Sequence, residues 1–386
     1  MLTFMNHKVL FALPVLALAA CSQDDLLEVN RSVNEITFDV VSGNASKAAN
    51  VFCNNNKPTE FYVWAQNGGK DLMVGDHIVN EGGKWVNKSA SRFWPEAGNV
   101  DFYAHVNAGS AFQWNSGAPK IENFTVPTTV AEQTDLLYSV KKDVAKSNSA
   151  VTLNFHHALS QIVFNAKNTN EHLHAEVYGV ELCMLSNKGT YTYPTASTEA
   201  NNADHTGAGT VNGGKGTWDY GTTHETVYGV SFAPVDVVKG DVVSLTSAND
   251  AGKEFNSQAL MLIPQVTSKW DTTDHVNSNK GSYILVNCVI RNIAGAAVDK
   301  ANDVVLWGTG SGATATPKKI AIPADFNWTE GNKYIYTLVF GEGGGTTPPS
   351  GGGDEPDPSP VLVPITFDVT VDDFVNAANT DVNAGF

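Results

Sequence analysis

The sequence predicts an all-β protein made of two sandwich domains, and two features of the chain support this. Clusters of Gly, Asn, Asp and Ser interrupt it at intervals of roughly ten to fifteen residues, as turns between short strands do. Between the clusters, apolar and polar side chains alternate. In "KYIYTLVFG", for example, Tyr334, Tyr336 and Leu338 fall on one side of the strand and the residues between them on the other. Such a pattern is typical of antiparallel sandwiches.

Composition sets the size of the core and excludes two classes of partner. The chain has 386 residues, of which 42% are hydrophobic and 17% charged, so it can bury the cores of about two domains and is not a disordered protein. Lys and Arg number 24 against 40 Asp and Glu, which gives a formal net charge of −16. This charge repels the phosphates of nucleic acids and anionic lipids, so neither is expected as a partner.

Residues 1–20 have the composition of a secretion signal. Lys8 supplies a positive flank, and the apolar run that follows is too short to span a bilayer. The ending Leu18-Ala19-Ala20-Cys21 resembles a lipobox, which implies acylation of Cys21 and anchoring in the outer membrane of the cell. A plain signal peptide with a chance cysteine is the alternative.

The mature chain divides into four expected parts. The first sandwich covers residues 21–169 and the second residues 170–340, with a boundary in the polar stretch "AKNTNEHLHAE"; the stretch at 140–150 is a rival boundary. Residues 341–360, "GEGGGTTPPSGGGDEPDPSP", are too poor in apolar side chains to pack and predict a flexible to semi-extended linker. Residues 361–386 form a C-terminal tail.

The cysteines do not organise this fold. If Cys21 carries lipid, Cys53, Cys183 and Cys288 remain, and an odd number cannot all pair within the chain. Cys288 shares a strand face with Ile284 and other apolar residues, which favours a buried free thiol, and a bond to Cys183 is the alternative.

No motif indicates catalysis, so we expect neither an enzyme nor a cofactor. The glycine-rich "GTGSG" lacks the following helix and Lys-Ser/Thr pair of a phosphate-binding loop. His156 and His157 are adjacent and point to opposite faces of a strand. His172 and His174 share a face but have no third ligand at a recognisable spacing, so they predict a surface pair and no metal site.

Six fragments resemble the fimbrillins of Bacteroides-type bacteria, the lipoprotein subunits of type V pili. They are "RFWPEAGNVDFYAHV", "EQTDLLYSV", "VTLNFHHALSQIVF", "VYGVEL", "LMLIPQ" and "WTEGNKYIYTLVF", and they occur in the family's order. The resemblance implies two tandem transthyretin-like sandwiches with a C-terminal donor strand. It also implies export to the cell surface, assembly with copies of itself or other fimbrial subunits into an extracellular fimbria, and a role in adhesion.

The resemblance also gives a reason why the pentapeptide "ITFDV" occurs twice, at 36–40 and at 365–369. In the family, a protease removes the first strand, here 33–42, and the C-terminal strand of a neighbour fills the vacated groove. Two strands that serve one groove must present similar side chains. The displaced set is Ile36, Phe38 and Val40, and the donor set is Val361, Val363, Ile365, Phe367, Val369 and Val371.

The resemblance implies cleavage by a trypsin-like surface protease at a basic residue. Lys47 follows the first strand in a run of small residues, so cutting there would free the strand. Arg31 precedes the strand, so cutting there would remove the lipid and leave the groove filled. A protein that carries a donor tail is expected in the shaft or near the anchor of a filament.

The alternative from another class is a monomeric surface protein that binds a glycan or other ligand, whose tail completes its own sheet. Exposed tryptophans would then line the sugar site, although tryptophans in sandwiches more often pack in cores or turns. The candidates are Trp85, Trp94, Trp218 and Trp270.

Overall fold

The computed structural model describes residues 34–42, 58–115, 117–198, 215–246, 259–349, 359–360 and 365–373, and the fold is nearly all β, as predicted. In chain order the strands are β1 (Phe38–Ser42), β2 (Glu60–Asn67), β3 (Lys70–Glu81), β4 (Lys84–Asn87), β5 (Val100–Val106), β6 (Phe112–Gln113), β7 (Lys120–Thr125), β8 (Leu137–Val144), β9 (Val151–His157), β10 (Ser160–Asn168), β11 (Leu173–Leu185), β12 (Lys188–Thr192), β13 (Thr217–Asp219), β14 (Thr226–Val237), β15 (Val243–Ser244), β16 (Leu260–Leu262), β17 (Tyr283–Asn292), β18 (Val304–Trp307), β19 (Lys318–Pro323), β20 (Asn332–Phe340) and β21 (Ile365–Asp373).

Three short 3-10 helices interrupt the strands, at Gly109–Ala111, Val130–Glu132 and Gly312–Thr314. Within the ranges that the structure describes, no helix has the length and apolar character needed to cross a membrane.

The first large sheet has seven strands in the order β1-β9-β8-β5-β2-β3-β4. One face of it carries a separate apolar core that includes Phe38 of β1, Phe61 of β2 and Trp85 of β4. The Phe61 ring centroid lies 5.7 Å from that of Phe38 and 5.2 Å from that of Trp85. Because β1 and β4 are the two ends of the sheet, these contacts require the sheet to curl around its core.

The second half of the described chain is a sandwich of two five-stranded sheets. One has the order β15-β10-β20-β21 with β16 also on β10, and the other has β14-β11-β17-β18 with β19 also on β17. Alternation places Tyr334, Tyr336 and Leu338 in the core between them, as the sequence predicted. They share this core with Ile284 and Cys288 of the facing sheet.

A four-stranded sheet, in the order β13-β12-β7-β6, joins strands from both halves of the chain. Its β6 and β7 come from residues 112–125, and its β12 and β13 from residues 188–219. Through Tyr191 of β12 and Tyr138 of β8, whose rings lie 5.0 Å apart, it packs on the outer face of the seven-stranded sheet. One apolar core therefore runs from Tyr138 into the second sandwich.

The chain changes sheet at Ala158–Leu159, between β9 and β10. The polar stretch around 165–175 contains the turn between β10 and β11, which lie in the two facing sheets of the second sandwich. Turns within a sandwich and linkers between domains are built from the same polar residue types. Ala158 and Leu159, where the chain passes from one sheet to the next, are apolar and buried. The division into domains at residue 169 stays a prediction.

Part of the expected linker is packed. Thr346 exchanges two backbone hydrogen bonds with Ala321 of β19, of 2.8 and 2.9 Å, and is buried. Gly345 beside it has no room for a side chain, because an added Cβ would lie 2.4 Å from Ile320 Cγ2. Because Gly345 and Thr346 are small, the segment that contains them can extend the sheet beyond β19.

Candidate assembly site formed by the first and last strands

The first strand lies at the edge of the seven-stranded sheet and pairs with β9 alone. The pairing is parallel and places Phe38 opposite Val151 and Val40 opposite Leu153. An edge strand makes its ladder hydrogen bonds on one side, so it is the strand of a sheet that can most easily be exchanged.

The apolar side chains of this strand are buried despite its edge position. Ile36, Phe38 and Val40 are 4%, 6% and 2% exposed. The Phe38 ring meets those of Phe61 and Phe102 edge to face, at 5.7 and 5.8 Å. Burial of such side chains contributes roughly 1.5–3 kcal/mol each, so the strand fills a groove that would otherwise open the core.

The residues just before β1 pair with a different segment. The Ile36 N–H donates to the Arg92 carbonyl at 2.7 Å, and the Trp94 N–H donates to the Asn34 carbonyl at 2.9 Å. Glu35 and Phe93 lie opposite each other in this short antiparallel bridge. The groove thus has two walls: β9 along residues 38–42, and the segment Arg92–Trp94 along residues 34–36.

The last strand, β21, also lies at a sheet edge, but in the second sandwich. It pairs antiparallel with β20, from Ile365 opposite Phe340 to Asp373 opposite Asn332. Ile365 is fully buried and Phe367 half-buried, with its ring 5.8 Å from that of Tyr336. Val369 and Val371 are 42% and 55% exposed, so the strand leaves much of its apolar face in solvent.

Several residues assigned to the site from sequence fall outside the described part of the chain. They are Cys21, Arg31, Lys47, Val361 and Val363. Their roles in lipidation, processing and strand donation stay predictions.

The four tryptophans named for the alternative sugar site do not lie on an exposed face. Trp85, Trp94 and Trp270 are buried, and Trp218 is half-buried with its Nε1–H donating to the Ala158 carbonyl at 2.7 Å. They pack in cores, as tryptophans in sandwiches commonly do. Packing in cores or turns is the interpretation favoured from sequence, and these four side chains agree with it.

Cys183 and Cys288 are both free and buried, as favoured for Cys288 from sequence. They lie in different apolar clusters, one on each side of the sheet that contains β11 and β17. Burial raises the pKa of the Cys183 thiol to about 12, and that of Cys288 further still. Neither thiol is therefore reactive at neutral pH.

One histidine prediction was wrong. His172 is exposed, but His174 is fully buried and its Nε2 lies 2.8 Å from Asp236 Oδ1. Lys300 reaches the same carboxylate oxygen at 2.7 Å and helps to cover this face of β11, which the spacing of the two histidines could not reveal. Among the described residues, no three His, Cys, Asp or Glu side chains are grouped as metal ligands.

A buried carboxyl group that the sequence did not single out lies where the seven-stranded sheet meets the second sandwich. Glu330, just before β20, accepts a hydrogen bond from the Tyr138 hydroxyl at 2.7 Å and one from the Gly216 N–H at 3.2 Å. Burial raises its pKa to about 7, although these hydrogen bonds oppose the shift. The group can therefore exchange a proton near neutral pH.

Sequence reasoning also missed the residues that form the second wall of the groove. Arg92 and Trp94 lie in a quoted fragment, "RFWP", but they pair with residues 34–36, which lie nearly sixty positions earlier in the chain, before strands β1 to β4. No local pattern marks such a contact.

The chain was then compared with known proteins. A sequence profile of the family described as fimbrillin-like matches residues 46–353. A comparison with the sequences of curated proteins finds no match.

Among solved structures, the fold is similar to that of a fimbrial protein from Bacteroides vulgatus ATCC 8482, with a TM-score of 0.52 and 16% identity, covering 89% of this chain and 100% of that one. A proposed cell adhesion protein from Bacteroides ovatus ATCC 8483 aligns with a TM-score of 0.42 and 14% identity, covering 89% of this chain and 97% of that one.

The family profile covers most of the chain, including both walls of the groove around β1 and every described strand from β2 to β20. The sequence fragments, the order of the sheets and this match agree with one another. The chain belongs to the fimbrillin-like family.

Proposed function

We propose that this protein is a structural subunit of a cell-surface fimbria, exported as a lipoprotein and polymerised by protease-activated donor-strand exchange. One observation supports the proposal: the same pentapeptide occurs at two sheet edges, where the apolar side chains of residues 36–40 are buried in a groove and the last strand leaves its apolar face partly in solvent. A subunit of this kind assembles and adheres, and it needs no catalytic group.

Acylation of Cys21 would hold the precursor at the outer membrane. Because the lipid is attached before the first strand, the subunit stays anchored until the chain is cut. Replacing Cys21 with Ser should abolish labelling by palmitate, and a variant that is still labelled would contradict the anchor.

Cleavage after Lys47 would leave β1 in place but no longer covalently attached. Lys47 lies five positions beyond Ser42, the last residue of β1. A cut there makes β1 a short peptide ligand that can be displaced, whereas a cut after Arg31 leaves it attached. The mature N-terminus should be Ala48; an N-terminus of Ser32 in purified filaments would contradict activation by cleavage.

The repeated pentapeptide defines how a donor strand would lie in the groove. Aligning the two copies places Phe367 at the position of Phe38 and Val369 at that of Val40, with the strand parallel to β9. The intervening side chains, Thr37 and Asp39 in the first strand, are exposed and tolerate polar residues. A shift of one residue would turn every apolar side chain to solvent, so this register is strongly favoured.

Insertion of the last strand into the groove of a neighbour would bury more of its apolar surface. In its own chain the last strand exposes Val369 and Val371. In the groove of a neighbour, Val369 would be as enclosed as Val40, and full burial of a valine contributes about 1.5 kcal/mol or more. The valines at 361 and 363 would add to this, against the entropy of ordering the tail.

A cysteine pair tests both the exchange and its register. Asp39 lies opposite Thr152 of β9, and both side chains are exposed, so Asp368 of a donor should take the place of Asp39. Cleaved subunits that carry Thr152→Cys and Asp368→Cys should form disulfide-linked polymers on mild oxidation. Subunits with Thr152→Cys and Thr370→Cys, two positions out of register, are the matched control.

The outcomes separate the two candidate functions. Linkage in the first pair alone supports exchange in the proposed register. If neither pair links and the cleaved protein stays monomeric, the chain is a monomeric surface protein and the repeated strand has another cause.

A further inference from the structure

We infer that Asp76 and Arg92 are positioning residues for strand exchange: their ion pair holds the segment Arg92–Trp94 as a backbone clamp for the first residues of whichever strand fills the groove. The occupant is β1 in the precursor and the C-terminal strand of a second copy of this chain in the filament. The second part of this inference rests on the proposed function.

The clamp is held by an ion pair between a half-buried arginine, Arg92, and a buried carboxylate, Asp76. The Arg92 Nε–H donates to Asp76 Oδ2 at 2.6 Å, and an NH2 hydrogen donates to Oδ1 at 2.9 Å. The Asn87 side-chain amide donates to the same carboxylate at 2.9 Å. The Asp76 side chain is only 2% exposed. A bidentate pair of this kind fixes both distance and orientation.

The carboxylate stays ionised in this setting. Burial would raise the pKa of Asp76, but hydrogen bonds from Arg92 and Asn87, with the charge of Arg92, outweigh it and hold the pKa below its ordinary value. The pair therefore keeps its charges throughout the neutral range. Loss of Arg92 would leave the buried Asp76 carboxylate without its counterion.

The clamp needs such an anchor because its own segment is irregular. From 88 to 99 the chain forms no strand, and most of its side chains are exposed. Trp94 is the exception, buried against Phe102 at 6.0 Å between ring centroids. Arg92 and Trp94 thus attach both ends of the three-residue clamp to the sheet.

The hydrogen bonds of the clamp suit the sequence of the last strand. They use the N–H of Ile36 and the carbonyl of Asn34, and neither uses the N–H of Glu35. In the alignment of the two pentapeptides, these positions correspond to Ile365, Val363 and Pro364. Proline lacks the N–H but keeps the carbonyl, so Pro364 falls at a position where this loss removes neither clamp bond, whereas a proline one residue later would remove one.

Hydrogen exchange of the intact precursor tests the clamp without any strand exchange. Arg92→Ala should speed exchange of the Ile36 and Trp94 amides roughly tenfold or more, because two backbone hydrogen bonds lose their fixed partner. Amides of the central strand β2 should be unchanged, which separates local loosening from global destabilisation. Lys88→Ala is the control, since Lys88 lies in the same loop and pairs with Glu81 at the surface.

Two further variants keep the test decisive if Arg92→Ala does not fold. Arg92→Lys retains the charge but cannot bind both carboxylate oxygens, and should give a smaller acceleration. Glu35→Pro copies the donor sequence and should leave the Trp94 amide protected, whereas Ile36→Pro should not. The clamp would be refuted if the Ile36 amide exchanged at the parent rate in both Arg92→Lys and Arg92→Ala. It would also be refuted if the Trp94 amide lost its protection in Glu35→Pro.

A second measurement extends the clamp to the donor. A peptide of residues 361–375 should dissociate from Lys47-cleaved subunits several-fold faster when Arg92 is Ala than when Lys88 is Ala. Equal rates would refute a clamp for the donor while leaving exchange intact. If the peptide fails to bind the parent subunit, the proposed function fails, and hydrogen exchange in the precursor still decides the clamp on β1.

Discussion

The two copies of "ITFDV" lie at the edges of two different sheets, one at 36–40 leading into β1 and one at 365–369 within β21, and their surroundings differ. β1 runs parallel to β9 and buries Ile36, Phe38 and Val40. β21 runs antiparallel to β20, buries Ile365, and leaves Val369 42% exposed, where its counterpart Val40 is 2% exposed.

The difference shows that burial is a property of the groove and not of the strand. Both copies have an apolar face set by the pleat, but only β1 meets a curled sheet with side chains on the facing side as well. Phe38 contacts two phenylalanine rings, whereas Phe367 contacts Tyr336 at the margin of a core. The same side chains should therefore matter for folding at one site and for assembly at the other.

Removing each strand in turn should give the largest contrast. A chain that lacks residues 361–386 should stay a folded monomer with a lower melting temperature, because Ile365 is the only fully buried side chain described in its strand. A chain that begins at Ala48 should lose the cooperative unfolding of its first half, because an open groove exposes the core. Calorimetry of both truncations would check this, and equal losses would remove the distinction between the strands.

Single ring deletions should sharpen the contrast. Phe38→Ala should lower the free energy of unfolding of the precursor by roughly 3–5 kcal/mol, as expected for a phenylalanine in a packed core. Phe367→Ala should cost about 1–2 kcal/mol in the monomer, since its ring is only half-buried, and yet should prevent polymer growth. Urea unfolding and sedimentation would measure the two effects; a larger monomer loss for Phe367→Ala would reverse the comparison.

The pH dependence tests whether the two halves that carry these strands unfold together. The pKa of Glu330 is about 7 in the folded protein, above its ordinary 4.5, so the folded state binds the proton more tightly than the unfolded chain. The contribution of Glu330 to stability should therefore be greatest below about pH 4.5, fall by up to about 3 kcal/mol towards pH 7, and stay low above it.

Glu330→Gln should abolish this fall and make the protein more stable than the parent at pH 8. Asp325→Asn, an exposed neighbour, should not. If probes in both halves shift together, β1 and β21 belong to one cooperative unit. A shift confined to the second sandwich would show that they do not.

The smallest expected effect comes from identical substitutions at equivalent positions. Val40→Thr should cost about 1–3 kcal/mol, because it puts a hydroxyl into an apolar core. Val369→Thr should stay within about 0.5 kcal/mol in the monomer, because that side chain is already exposed. Chemical denaturation of the two variants compares them directly, and similar values would mean that β21 is more enclosed than its exposure indicates.

The sequence alone determined the features that depend on local periodicity. Alternation marked the strands and the inward face of each, as in Tyr334, Tyr336 and Leu338, and placed Cys288 in a core as a free thiol. The repeated pentapeptide singled out the two strands of the candidate site. These features were predictable because the side-chain direction in a strand follows from its two-residue period.

Tertiary structure alone decided which strands meet and what covers them. Parallel pairing with β9, antiparallel pairing with β20, the change of sheet at Ala158–Leu159 and the bond from Ile36 to Arg92 all join residues distant in sequence. The two-residue period determines which side chains of a strand face the core, but it does not determine which strand pairs with it. Many strands share the same alternation, and the packing of the whole core selects the pairing. Two copies of "ITFDV" could thus be recognised as equivalent from sequence, while their unequal burial could not.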